Sequence, residues 1–227
     1  NDSPENAQYL TTDAWIWQLR GQHDEAIKVL AKAQALDPKA PVIPYRLAVS
    51  YYFLHQYAQV QQSCHEALRL NPRYGAAYLL LGIVELKEKA ITGAVGDLEK
   101  AVSVNPDEAL FHRELGEAMF QDGKPAGAGK QLDTALQLNP KDAEGYYWRA
   151  KLLASEGAKQ RAIADLNASI ELKPGYTEAY QELAQLYKET GQPEEAAKVL
   201  AAGRRQGAAR PNASGEGLLR SSPDALP

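Results

Sequence analysis

Five short stretches decide the fold: Leu36-Asp37-Pro38, Leu70-Asn71-Pro72, Val104-Asn105-Pro106, Leu138-Asn139-Pro140 and Leu172-Lys173-Pro174. Successive prolines are 34 residues apart. A fixed period of that length marks a stack of supersecondary units. With the proline at position 32, the repeats are 7–40, 41–74, 75–108, 109–142, 143–176 and a sixth from 177 to 206. Residues 1–6 are then an N-terminal extension and 207–227 a low-complexity tail.

Each repeat reads as two helices. In its second half, position 20 is Ala26, Val60, Ala94, Ala128, Ala162 and Ala196, and position 24 is Leu30, Cys64, Leu98, Leu132, Leu166 and Leu200. Position 27 is Ala33, Ala67, Ala101, Ala135, Ser169 and Gly203. Offsets of four and three share one helical face. In the first half, position 8 is always small: Ala14, Ala48, Gly82, Gly116, Ala150 and Ala184. A small residue at one fixed place lets the partner helix approach closely. Position 15 is Gly21, Gly123, Gly157 and Gly191 in four repeats, suited to a helix end that needs positive φ; His55 and Lys89 replace it in two. Pro125 and Pro193 stand where a second helix begins, a place that tolerates a missing N–H. Pro41 and Pro44 should shorten the first helix of repeat 2.

The period, the small position 8, the alanines at 20 and 27 and the proline at 32 resemble the tetratricopeptide repeat. Gln181-Glu182-Leu183-Ala184-Gln185-Leu186-Tyr187 and Tyr78-Leu79-Leu80-Leu81-Gly82 are similar to its first helix, and Leu138-Asn139-Pro140 to its closing turn. Asp13, Arg149, Glu85 and Pro44 depart from the pattern. The resemblance implies an all-α, right-handed α-solenoid of six helix-turn-helix repeats. It also implies a non-catalytic scaffold that holds a peptide or protein segment in a concave groove lined by the first helix of each pair.

On those first helices, positions 2, 5, 9 and 12 form a second stripe away from the core positions 4, 8 and 11. Repeats 1–3 place nine apolar or aromatic residues among its twelve positions, and repeats 4–6 only four. The expected groove residues are Trp15, Tyr45, Val49, Tyr52, Leu79, Ile83 and Leu86 in the first three repeats. In the last three they are Arg113, Glu117, Phe120, Tyr147, Lys151, Gln181 and Gln185. Trp15, Tyr45 and Tyr52 are the expected anchors, being large and able to donate a hydrogen bond; lateral packing between helices is the competing reading for Val49, Leu79 and Ile83. Arg113 and Lys151 could share one acidic group on a ligand; the competing reading is that they pair with Glu117, Glu144 or solvent. In the chaperone-binding subtype of the resembled family, Lys at position 5 and Asn at 9 hold a carboxylate. No repeat here has that pair.

Composition restricts the alternatives. The 227 residues carry 25 Lys+Arg against 29 Asp+Glu, a net charge of −4, which argues against nucleic acid as partner. The one cysteine, Cys64, sits at a core position and reads as a buried structural thiol. No apolar run reaches the roughly 18 residues of a membrane span. His23, His55, His65 and His112 lack metal-ligand spacing. Gly123-Lys124-Pro125-Ala126-Gly127-Ala128-Gly129-Lys130-Gln131 has the wrong spacing for a phosphate loop, and no strand precedes it. Neither catalysis, cofactor nor metal is therefore expected. A second reading is a binder of an apolar small molecule or lipid, which requires a deep pocket around Trp15, Tyr45 and Tyr52. A third is a regulatory or stalk segment of a larger protein. The start Asn1-Asp2-Ser3 has neither Met nor apolar leader, which processing or a later start would both give, and a cytoplasmic and a periplasmic or secreted location stay open. Weak self-association through the last helix or the tail is expected, with Leu218 and Leu219 as the tail's apolar knot.

Overall fold

The computed structural model describes residues 6–207, so the docking expected of Leu218 and Leu219 lies outside the described residues. Among these residues there are twelve helices and no strand. They pair as α1 (Ala7–Leu19) with α2 (His23–Leu36), α3 (Val42–Phe53) with α4 (Tyr57–Leu70), and α5 (Gly75–Lys87) with α6 (Ile91–Val104). The remaining pairs are α7 (Ala109–Gln121) with α8 (Pro125–Leu138), α9 (Ala143–Ser155) with α10 (Lys159–Leu172), and α11 (Thr177–Glu189) with α12 (Pro193–Gly207). The first helix of each pair is called A and the second B. The chain is an all-α solenoid-type repeat protein of six helix-turn-helix repeats. Its contacts divide it after Pro106 into two compact units of three repeats each.

The turn inside each repeat is built six times from the same bonds. The N–H two residues past each A-helix C-cap reaches back to a carbonyl in the helix's last turn: Gln22 to Trp17, Gln56 to Tyr51, Ala90 to Glu85, Lys124 to Met119, Ala158 to Leu153 and Gln192 to Tyr187, at 2.8–2.9 Å. This closure needs a left-handed residue at position 15. Gly21, Gly123, Gly157 and Gly191 supply it with φ between 71° and 80°. His55 and Lys89 take the same conformation, at φ 57° and 61°, against their side chains' preference. Between repeats, the Asp or Asn before the proline accepts from the backbone two residues on: Lys39 N–H to Asp37, Arg73 N–H to Asn71 and Lys141 N–H to Asn139, at 3.0–3.1 Å. Pro41 forms the N-cap of α3, which at 12 residues is one shorter than the other five A helices, and Pro44 fits in its first turn.

Position 8 is where A meets B. A Cβ on Gly82 would come within 2.5 Å of Leu98 Cγ, and one on Gly116 within 2.7 Å of Leu132 Cγ. The six residues at position 20, Ala26, Val60, Ala94, Ala128, Ala162 and Ala196, are all fully buried. Within the first unit α3 is surrounded by α1, α2, α4 and α5, and every residue from Ile43 to Ser50 is buried. Gln18, also buried, ties α1 to α3 by donating from Nε2 to the Arg46 carbonyl at 2.7 Å and to Ser50 Oγ at 2.8 Å. Within the second unit, Arg149 of α9 spans two repeats. Its guanidinium forks onto Asp165 at 2.7 and 2.9 Å and reaches Asp133 of α8 at 3.0 Å. Arg149 departs from the repeat pattern, and a bidentate ion pair with Asp165 accommodates it here.

Candidate functional site

The stripe along the A helices behaves differently in the two units. In the first, Tyr45, Val49 and Leu79 are buried. That corrects the expectation that Tyr45 projects as an anchor and settles Val49 and Leu79 on lateral packing. The cause is the setting of α3: a helix apolar on all sides with neighbours on four of them has no free face. Tyr45 packs against Tyr74 with ring centroids 5.2 Å apart, and burial pushes the Tyr74 hydroxyl pKa up. Trp15 is half-buried beneath the Arg46 guanidinium, 5.9 Å from its ring centroid. Tyr52 is half-buried between the rings of Phe53 and Tyr57, with Lys87 Nζ 5.8 Å from its centroid. Ile83 and Leu86 are half-buried.

A cavity of about 290 Å³ lies at the start of α1 and the turn between α2 and α3, lined by Thr11, Asp37 and Val42 among others.

In the second unit the stripe is more open and divides into two parts. The first is an ionic knot. Arg113 meets Glu114 at 2.6 Å, Glu144 at 2.9 Å and Asp142 at 3.2 Å, while Lys173 meets Glu144 at 2.8 Å. Burial opposes the charge on Arg113, but the three carboxylates outweigh it and hold the guanidinium protonated. Burial likewise raises the Glu144 pKa, and Arg113 and Lys173 more than reverse that, leaving it below the ordinary carboxylate range. Asp142 also caps α9 by accepting from Glu144 N–H at 3.2 Å. Arg113 is thus committed within the protein, as the pairing alternative anticipated, with Asp142 and Glu114 as additional partners.

The second part is aromatic and cationic. Lys151 Nζ stands 5.0 Å from the Trp148 ring centroid and 5.6 Å from that of Tyr147. Trp148 lies edge-on to Tyr147 at 5.3 Å and 6.3 Å from Phe120. Tyr147 itself is buried, against expectation, and its hydroxyl is pushed up to about 12 by burial and by Glu182, Glu178 and Glu117. Lys151 is 3.8 Å from Glu182, a loose pair on the solvent side. Glu117 accepts from Gln121 Nε2 at 3.0 Å. Gln181 and Gln185 are exposed on α11, and Gln185 donates to Glu189 at 3.0 Å. The face therefore offers half-exposed rings, an ammonium and the exposed amides of Gln181 and Gln185. Two of its members, Trp148 and Glu182, were not among the expected residues. Both are at position 6, beside the stripe, where the six repeats share no residue type that would have marked them.

The residues set aside on chemical grounds take structural places. Cys64 is buried, which raises its thiol pKa far from any reactive range. His112 is buried with Nδ1 2.6 Å from Gln131 Oε1. Among the described residues no cluster of three or more His, Cys, Asp or Glu could hold a metal ion, and no helix is long and apolar enough to cross a membrane.

Comparison with known proteins agrees with this architecture. Tetratricopeptide repeat profiles match residues 45–102, 91–141, 120–177 and 153–215. The chain is 34% identical over 85 residues to RNA polymerase II-associated protein 3 of Xenopus tropicalis, covering 37% of this chain and 13% of that one. It is 34% identical over 105 residues to BBSome complex member BBS4 of Bos taurus, covering 46% and 20%. The matched region is thus a small part of each relative's length. Among solved structures, the Cut9 and Hcn1 assembly of the APC/C superposes with a TM-score of 0.82 at 20% identity, over 96% of this chain and 43% of that one. Pseudomonas aeruginosa pilF gives 0.76 at 18%, over 90% and 97%. YrrB, described as a TPR protein with an unusual peptide-binding site, gives 0.61 at 21%, over 78% and 92%. These similarities support a protein-interaction scaffold. The profiles cover well over half of the sequence, and the chain belongs to the tetratricopeptide repeat family.

Proposed function

We propose that this chain is a non-catalytic interaction scaffold whose working surface is the A-helix face of the second unit, where it holds an extended peptide or a segment of a partner protein. The observation that carries the reading is Lys151, poised over the Tyr147 and Trp148 rings with only a loose carboxylate contact, next to the exposed Gln181 and Gln185. Rings supply apolar contact at low entropic cost, and the amides can bond to an extended backbone. The ammonium selects for acidic or carbonyl-rich segments. A small molecule needs to be mostly enclosed, whereas a chain-like ligand can be held by rings and amides spread along neighbouring helices. YrrB, of the same fold, is described as having a peptide-binding site, which is consistent with this use.

The experiment is selection of a displayed peptide library on the purified chain, followed by affinity measurement with Lys151→Glu and Gln185→Ala. Both residues lie at the surface, so helical content by circular dichroism should be unchanged. Selected peptides should bind Lys151→Glu at least tenfold more weakly. Equal affinity for the variant and the parent would remove this face from consideration.

A further inference from the structure

The first helix carries an apolar face that nothing in the described chain covers. Tyr9 is 58% exposed, Ile16 40% and Leu19 51%. They occupy positions 3, 10 and 13 of repeat 1. Elsewhere within each unit, positions 3 and 10 are buried: Ile43 and Ser50 on α3, Ala77 and Val84 on α5, Gly145 and Leu152 on α9, Ala179 and Leu186 on α11. What covers them is the B helix of the preceding repeat, and the contacts define a register. A Cβ on Gly129 of α8 would meet Leu152 of α9 at 3.3 Å, so position 21 faces position 10. A Cβ on Gly145 of α9 would meet Leu136 of α8 at 3.1 Å, so position 28 faces position 3. His23 of α2 stacks on Phe53 of α3 at 4.6 Å, and Lys159 of α10 bonds Glu189 of α11 at 3.0 Å, so position 17 faces position 13.

The other half of this junction is left over on α12. It is a B helix with no A helix after it among the described residues. Its Pro193, Ala197 and Arg204 stand at positions 17, 21 and 28 and are exposed. Leu200 at position 24 is half-buried, whereas Leu30, Cys64, Leu132 and Leu166 at the same place are closed over.

We propose that a second copy of this chain docks head to tail, its α12 seated on the α1 of the next copy in the register used by the internal junctions. Ala197 then faces Ile16, a small residue opposite a large one. Arg204 lies over the ring of Tyr9, and Pro193 covers Leu19. The two surfaces differ, so the contact is heterologous and leaves a free end on each outer copy to which another can add. One helix-on-helix junction is small by the standard of stable interfaces, which places association in the micromolar range or weaker.

The test is sedimentation equilibrium of the full chain from about 10 µM to about 500 µM. Average mass should rise with concentration. Tyr9→Glu with Ile16→Glu should abolish the rise, and so should Ala197→Glu with Arg204→Glu. All four residues are exposed, and circular dichroism checks that the fold is kept. Each double variant retains one intact end, so mixing the two should restore a 1:1 dimer and nothing larger. A monomer at every concentration would overturn the proposal. So would association that survives the α12 changes but not the α1 changes, which is symmetric α1 pairing, or a mixture that stays monomeric. None of these substitutions touches the face around Lys151, so the outcome is independent of peptide capture.

Discussion

Gly82→Ala puts two opposing effects of similar size at one atom. Alanine in place of glycine within a helix stabilises by about 1 kcal/mol. The added Cβ, however, falls 2.5 Å from Leu98 Cγ, 2.9 Å from Cδ2 and 3.1 Å from Cδ1. Cγ is a branch point close to the backbone of α6, so α5 and α6 must separate. Overpacking of this kind costs about 1–3 kcal/mol. The net expectation is a loss of about 1 kcal/mol. Repeats 1 and 5 show that a wider setting exists, since Ala14 packs in one cluster with Leu30, and Ala150 with Leu166. The loss should therefore be modest. Leu98→Ala alone should cost about 2–5 kcal/mol for a fully buried leucine. In that background the obstruction is gone, and Gly82→Ala should become stabilising by about 1 kcal/mol. The double-mutant cycle should thus show a coupling of about 2 kcal/mol. Urea denaturation followed by far-ultraviolet circular dichroism reads all four variants, with the midpoint interpreted only at constant slope. A coupling below about 0.5 kcal/mol would show that the close approach at position 8 does not hold the repeat together, and the packing argument would fail. Gly116→Ala against Leu132→Ala repeats the test in the second unit.

Lys89→Gly should stabilise the first unit by about 0.5–1 kcal/mol, because a lysine at φ 61° gives way to a residue that adopts this conformation freely, less the extra entropy of the unfolded chain. His55→Gly should give somewhat less, since it also loses the edge-on contact with Tyr57, and a thermal melt distinguishes both from no change. The ionic knot predicts a pH dependence. The folded Glu144 pKa lies below its unfolded value, so its contribution is complete above that unfolded value, near 4.5, and is lost as pH falls through the folded one. The difference in stability between the parent and Glu144→Gln should be constant from pH 7 to about 5 and shrink below about 4 by urea denaturation; a difference flat down to pH 3 would mean that the carboxylate is not held by Arg113 and Lys173.

How legible each feature was depends on how far its cause lies along the chain. The period, the helix pairs and the turn at position 15 depend on neighbours within one repeat, and Pro38 to Pro174 display them directly. His55 and Lys89 are instructive, because the turn's bonds impose the left-handed conformation even where the sequence offers a poor residue for it. The working face is another matter. Position 5 is Tyr45 on α3 and Gln181 on α11; the first is buried and the second exposed. The helix face is the same, and the surroundings differ. α3 has A helices on both sides, whereas α11 among the described residues has one, α9. On α3, set between α1 and α5, the apolar stripe is taken up by packing. In the greasiest stretch, Val42 to Leu86, Tyr45, Val49 and Leu79 are core while Tyr52, Ile83 and Leu86 stay half-buried. The aromatic and cationic set around Lys151 and the exposed Tyr9, Ile16 and Leu19 of α1 carry the two proposals.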